Sequence, residues 1–382
     1  MKKILLMVPS LNKGGAENVV IDLINSLNGK CDLILFAFFK STQEKYNAER
    51  LNKNTKLIYL FNFPVNHNSF FERTLNFLTY MFAPFLALMI LRIIRDEKIN
   101  IVHANMSLSS FYLPKLKFLC WLTRYQCKFV DTFHTNWHLL MFYNKIIFPY
   151  SWIFADKVVY EIGDNENKVI QKFSASKKIY NIPFAIQTAE DCDLEFKKNL
   201  IRKHSIPDNK IILGTISRLR IFEKKIDKML ILLKNLNQYD DKYFLVLFGD
   251  GPDKESIYNL ARQLGVDKNF LITGFIDKPE QVVYSIDIFL VAMVENYTGI
   301  AGLQAGISKI PCFGIQTKEK FKYSLNSKIE FSDNMPELAA RIQSHYEKQT
   351  LKEYSNIFYQ HILKNHNINA FSNSYLKIYH DL

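Results

Sequence analysis

Short apolar runs alternate with longer stretches of helical period along this chain. In the first half the runs are Lys3–Val8, Asp32–Phe38, Lys56–Leu60, Ile99–His103, Lys128–Phe133 and Lys157–Tyr160. Most carry Ile, Val, Leu or Phe at successive positions, the pattern of a parallel strand covered on both faces. The second half repeats it at Ile211–Ile216, Tyr243–Phe248, Phe270–Thr273, Ile288–Val291 and Cys312–Ile315, the last just after Pro311. Helical periodicity marks Asp227–Asn237, Lys254–Leu264 and Pro336–Tyr346. Strand–helix alternation in both halves predicts an α/β protein of two doubly wound, Rossmann-like domains. The polar stretch Gln187–Asp193, after Asn181-Ile182-Pro183, sets the boundary. The expected domains are 1–186 and 187–382, with the terminal helices from about 350 to 382 packing back on the first. Such sheets bind ligands at the carboxyl ends of their strands, so the pair is expected to face across a cleft.

Thr74–Leu91 has 18 residues without a charge. It contains Thr74, Asn76, Thr79 and Pro84 and runs into Arg92-Ile93-Ile94-Arg95. It reads as one helix, buried or lying on a membrane surface, that feeds the strand Ile99–His103. The run Ile4–Val8 is short for a signal-peptide core and reads as a first strand.

Composition narrows the class. At 382 residues, 48% hydrophobic and 23% charged, with 31 Phe and 20 Tyr, the chain is a globular protein with a large core. Its five cysteines show no close-pair spacing, which points away from a disulfide scaffold or zinc ribbon and towards a reducing, cytoplasmic setting. The net charge of +12 is uneven: residues 1–185 hold 23 Lys/Arg against 13 Asp/Glu, the remainder 26 against 24. A basic first half attracts phosphorylated or anionic partners. No nucleic-acid motif is present, so nucleic acid is not an expected partner.

Four clusters offer chemistry, all following a strand. Gly14-Gly15-Ala16-Glu17 opens a helix after the first strand, where small residues admit a ligand to the backbone and free amides face an anion. Ser217-Arg218-Leu219-Arg220, followed by Lys224-Lys225, places cations beside a helix start, as a diphosphate requires. Phe248-Gly249-Asp250-Gly251-Pro252 is a tight loop before another helix. Glu295-Asn296-Tyr297-Thr298-Gly299 leads into a helix through Gln304. Each alone is equally a plain turn or a solvated charge run.

In order and spacing together they resemble glycosyltransferases of the GT-B fold, family 4. The likeness covers most of the chain and is densest from Gly214 to Pro311, through Leu245–Pro252, Leu264-Gly265-Val266, Phe270–Phe275 and Ile286–Leu290. Gly14-Gly15 is similar to that family's N-terminal glycine loop, and His103 and His134 stand where it often has histidine. The resemblance implies a nucleoside diphosphate sugar on the second domain, an acceptor on the first, retention of anomeric configuration, and neither metal nor cofactor. It makes His134, Arg218, Lys224 and Glu295 the expected catalytic residues. Arg218 and Lys224 would hold the diphosphate, and His134 would contact the transferred sugar. Donor contacts are expected from Gly14, Gly15, Gly249, Gly251, Pro252, Phe275, Asn296, Thr298, Gly299 and Gln304. Four departures stand out. Asn296 and Gln304 occupy the positions of two family glutamates, with Glu295 one place earlier. One extra residue separates Arg218 from Lys224. Lys309 stands where glycine is expected. Phe184-Ala185 replaces a closing Asn-Gly.

Basic and aromatic residues mix at Lys115–Lys128 and Trp137–Trp152, which suits a membrane interface. The expected partners are therefore a nucleotide sugar, a lipid-linked or oligosaccharide acceptor, and the anionic inner face of the cytoplasmic membrane. Loss of both glutamates motivates a second reading, a non-catalytic sugar-nucleotide-binding subunit; a GT-B epimerase shares the fold. Asp191-Cys192-Asp193 and the pair His134/His138 mimic metal motifs, without the third ligand or strand-end position that a metal needs.

Overall fold

Branched and aromatic side chains on both faces of the runs draw them together as two parallel sheets. A computed structural model describes the chain apart from residues 1, 13, 67–69, 135–136, 138–139, 162–163, 176–177, 187–193, 277–278, 293–297 and 317–327. The first sheet holds β1 (Lys3–Val8), β2 (Asp32–Ser41), β3 (Lys56–Val65), β4 (Ile101–Asn105), β5 (Lys128–Phe133), β6 (Lys157–Tyr160) and β7 (Ile179–Asn181), in the order β3-β2-β1-β4-β5-β6-β7. The second holds β8 (Ile211–Ile216), β9 (Tyr243–Phe248), β10 (Phe270–Gly274), β11 (Ile288–Ala292), β12 (Cys312–Ile315) and β13 (Glu330–Ser332), in the order β10-β9-β8-β11-β12-β13. Neighbouring strands run parallel throughout. These are two Rossmann-like domains.

Central strands are buried along nearly their whole length, and β9 at every residue. The outermost strand β3 is largely exposed or half-buried and carries Pro64, which an edge strand tolerates because no ladder bond is lost on its open side. The strand order reverses between β1 and β4, and between β8 and β11. At such switch points the flanking connections diverge and leave a crevice at the carboxyl ends.

The first compact unit comprises Met1–Ala185 with Ile368–Leu382, the second Ile186–Asn367. The expectation for the terminal helices needs correcting. Only Ile368–His380 returns to the first unit, where Tyr379 bonds His103 and its backbone carbonyl accepts from Lys2 at 2.8 Å. The helix Leu351–Asn365 stays in the second. Its Phe358 and Ile362 press on Gly306, where an added Cβ would come within 2.4–2.5 Å of their side chains.

The 18-residue uncharged stretch is also not one helix. It belongs to two, Phe70–Met81 and Ala83–Asp96, bent by 82°. Pro84, which has no N–H to give a preceding turn, sits in the first turn of the second helix, where none is needed. Among the described residues no single helix is long and apolar enough to cross a membrane.

Candidate functional site

Two strand-end sites emerge, one in each domain. In the first, the β1–β4 switch point opens into a cavity of about 440 Å³. Gly15, Ala16 and Glu17 line it from the start of the helix Gly15–Leu27, Met106 and Ser107 from the end of β4, and His134 from the end of β5. Leu140, Met141, Asn144 and Phe148 close it. Gly14 caps the helix, and the Glu17 side chain occupies the space a Cβ at Gly14 would need. Met106 holds φ +66°, a left-handed backbone that a non-glycine residue rarely adopts, directly at the cavity wall.

Three neighbouring strand ends supply one polar side chain each. His134 Nδ1 lies 2.7 Å from Glu161 Oε2, and Nε2 lies 2.8 Å from Asn105 Oδ1. Asn105 donates its amide N–H to the His103 carbonyl at 3.2 Å, which turns its oxygen towards His134. The side chains of His134 and Glu161 are 4% and 0% exposed. Burial raises the Glu161 carboxyl, opposed by the adjacent His134. Asp131, on β5 and fully buried, accepts from Ser110 Oγ at 2.7 Å, and burial lifts its carboxyl to about 6. Neither Glu161 nor Asn105 is flagged by local sequence spacing. The available signal is a carboxylate and an amide at the ends of otherwise apolar strands.

His103 is different. Its ring is completely buried between Tyr379 Oη (2.7 Å) and Thr132 Oγ1 (2.6 Å), and burial lowers it to about 3, so it is a neutral structural residue. It fastens the terminal helix to the sheet and does not line the cavity.

In the second domain, the loops after β8 and β9 are laced together. Ser217 N–H donates to the Phe248 carbonyl, and Leu219 N–H to the Asp250 carbonyl, both at 3.0 Å; Asp253 accepts from Ile221 N–H at 2.9 Å. This contact needs bare backbone. A Cβ on Gly249, at φ +146°, would fall 2.0 Å from the Ser217 carbonyl oxygen, and one on Gly251 2.3 Å from that of Leu219. Arg218 projects outward and exposed; Lys224 is half-buried, with Nζ 3.2 Å from Glu223. The extra residue between them falls in a run of turns over 221–225. Pro252 and Phe275 are exposed beyond β9 and β10. Buried Thr298 caps the helix Gly299–Ile307, whose first residue has φ +66°, and Gln304 lies half-buried on it. Because all six strands are parallel, these groups share the carboxyl edge of one sheet. Glu295 and Asn296 lie outside the described residues, as do His138 and Asp191–Asp193.

One departure from the family pattern gains an explanation. Lys309 adopts φ +58° just past the helix, where its N–H and that of Ile310 bond back to Gly306 and Ala305. This is the left-handed helix end that glycine normally fills.

Two Rossmann-like domains, one with a polar-walled pocket at its switch point and one with glycine-laced, cationic strand ends, define the GT-B class. Residues 13–189 match the family model Glycosyltransferase Family 4, and residues 196–356 match Glycosyl transferases group 1. The chain belongs to the GT-B glycosyltransferases of family 4 type. It is similar to the O-antigen biosynthesis glycosyltransferase WclY of Escherichia coli, 24% identical over 197 residues, 49% of this chain and 54% of that one. It is also similar to alpha-monoglucosyldiacylglycerol synthase of Streptococcus pneumoniae, 29% identical over 146 residues, 37% of this chain and 32% of that one. The matched region thus spans about half or less of these relatives. In fold it follows the crystal structure of Anabaena HepE in complex with UDP and glucose, with a TM-score of 0.77 over the full length of both chains at 15% identity.

Proposed function

We propose that this chain is a retaining, metal-independent hexosyltransferase of cell-envelope polysaccharide synthesis. It moves a sugar from a UDP-linked donor to a lipid-linked or oligosaccharide acceptor. The observation that carries the proposal is the pair of laced loops after β8 and β9. They bring bare backbone at Gly249 and Gly251 against Ser217 and Leu219, the residues that flank Arg218, at a switch point, with Lys224 further along the same loop; such an arrangement suits a diphosphate leaving group. Thr298 and Gly299, at a helix start on the same sheet edge, add amides suited to phosphate. The HepE complex and the O-antigen and glycolipid relatives support the donor and acceptor classes.

The test is UDP release from a panel of UDP-sugars, with and without vesicles carrying a lipid-linked acceptor, in the presence of chelator. The proposal expects acceptor-dependent release and a product that keeps the donor's anomeric configuration. Binding of UDP with no release under any condition favours the non-catalytic subunit.

We place the enzyme at an anionic membrane surface on two grounds. Of the large apolar side chains exposed among the described residues, twenty lie between Phe63 and Phe173 and seven elsewhere. Phe77, Phe85, Trp121 and Phe142, 63–80% exposed, sit on or beside helices of the first domain. Residues 99–155 carry five Lys/Arg and one acid, the buried Asp131. Exposed apolar side chains in a segment with an excess of positive charge suit a bilayer with anionic headgroups. The full chain is expected to sediment with anionic vesicles, and Phe85→Asp with Trp121→Asp to release it; no sedimentation at low salt removes this part.

A further inference from the structure

We propose that Glu161 is the positioning residue of His134: it holds the ring at the end of β5 against Asn105 and fixes its orientation at the cavity wall. The kinetic consequence rests on the glycosyltransferase reading above; the ring chemistry stands apart from it.

The argument runs from three adjacent strand ends. Asn105 has committed its amide N–H to the His103 carbonyl, so its oxygen faces His134 Nε2, and that nitrogen must donate. On the other side, Nδ1 meets Glu161 Oε2 at 2.7 Å. The carboxylate side chain is wholly buried, and its second oxygen, Oε1, has no hydrogen-bond partner. An isolated buried carboxylate is costly, and it is retained where a charge partner neutralises it.

The other ionisable groups around the ring do not fill that role. His103 on β4 is held neutral by burial, Asp131 on β5 is itself an acid, Tyr375 on the terminal helix is held protonated by burial, and Glu17 adds an acid at the cavity wall. His134 is therefore the one side chain bonded to the Glu161 carboxyl among these groups. Its ring lines the cavity while both nitrogens are tethered, so the cavity receives a ring edge of fixed orientation.

The test uses the full chain, labelled with 15N at histidine ring nitrogens, with the His134 signals assigned by their loss in His134→Gln. In the wild-type protein the His134 ring N–H signals are expected to be sharp and slow to exchange with water, as tethered nitrogens are. In Glu161→Gln they should shift and broaden by exchange. Where UDP is released from UDP-glucose, Glu161→Gln should lower kcat by about 100-fold with donor KM little changed, since a displaced reacting group is costly. In a His134→Ala background the same substitution should add no further loss. A wild-type ring whose N–H exchanges with water like that of an exposed histidine overturns the proposal, as does an equal kcat loss in both backgrounds. If Glu161→Gln does not fold, the wild-type spectrum decides alone.

Discussion

The two halves are built on the same plan and finished differently. In the first domain the strand ends present buried, mutually bonded side chains, Asn105, His134 and Glu161, beside an open cavity. In the second they present backbone, glycine and cations, Arg218 exposed and Lys224 half-buried. The surfaces diverge too, with most of the exposed apolar side chains on the first half. Parallel sheets of this kind dictate where a site lies, because loops gather at one edge. The residues at that edge decide what it holds: polar groups tethered to one another suit an uncharged or amphiphilic molecule, and cations over bare backbone suit a diphosphate.

The comparison breaks most visibly at the cations. Arg218→Ala or Lys224→Ala should lower UDP release by about 10²–10³-fold, the usual loss when a donor to developing charge is removed. Thermal stability should hardly move, since one side chain is exposed and the other half-buried. If release survives both substitutions, the division of labour between the halves is wrong.

Next in size is Asp131. Its carboxyl is raised to about 6 from 3.8 by burial, so the folded state keeps a proton that the unfolded chain gives up. Stability is full below the unfolded value and falls as pH rises through the folded one, by on the order of 2–3 kcal/mol. Asp131→Asn keeps an oxygen for Ser110 and should flatten that dependence, read as melting temperature against pH. Gly251→Ala comes third. It drives a Cβ against the Leu219 backbone and should cost about 1–3 kcal/mol. A second-domain loop that tolerates alanine without loss is not the close backbone contact described here. The smallest effect is a gain: Lys309→Gly should stabilise by about 1 kcal/mol by relieving its left-handed backbone.

Strand positions were legible because burial on both faces leaves long apolar runs. β1, β5, β6, β8, β9 and β12 begin and end where the hydrophobic pattern places them. β7 and β13, three residues each at sheet edges, are too short to leave a period. The elbow at Pro84 was hidden by uniform hydrophobicity on both sides of it. The close backbone approach at Gly249 and Gly251 falls where the sequence sets glycines just after a strand. Glu161 and Asn105 could not be read from local spacing. Their roles come from the lateral order β4-β5-β6, which brings together residues 29 and 27 positions from His134. That information lies in the topology and in no local motif.

Binding of UDP compared with uridine, measured calorimetrically on the wild-type chain and on Arg218→Ala/Lys224→Ala, bears most directly on the account. It predicts that UDP binds much more tightly than uridine, and that the double variant erases the difference while still binding the nucleoside. Equal binding of both ligands by the wild type, or an undiminished preference for UDP in the double variant, contradicts it.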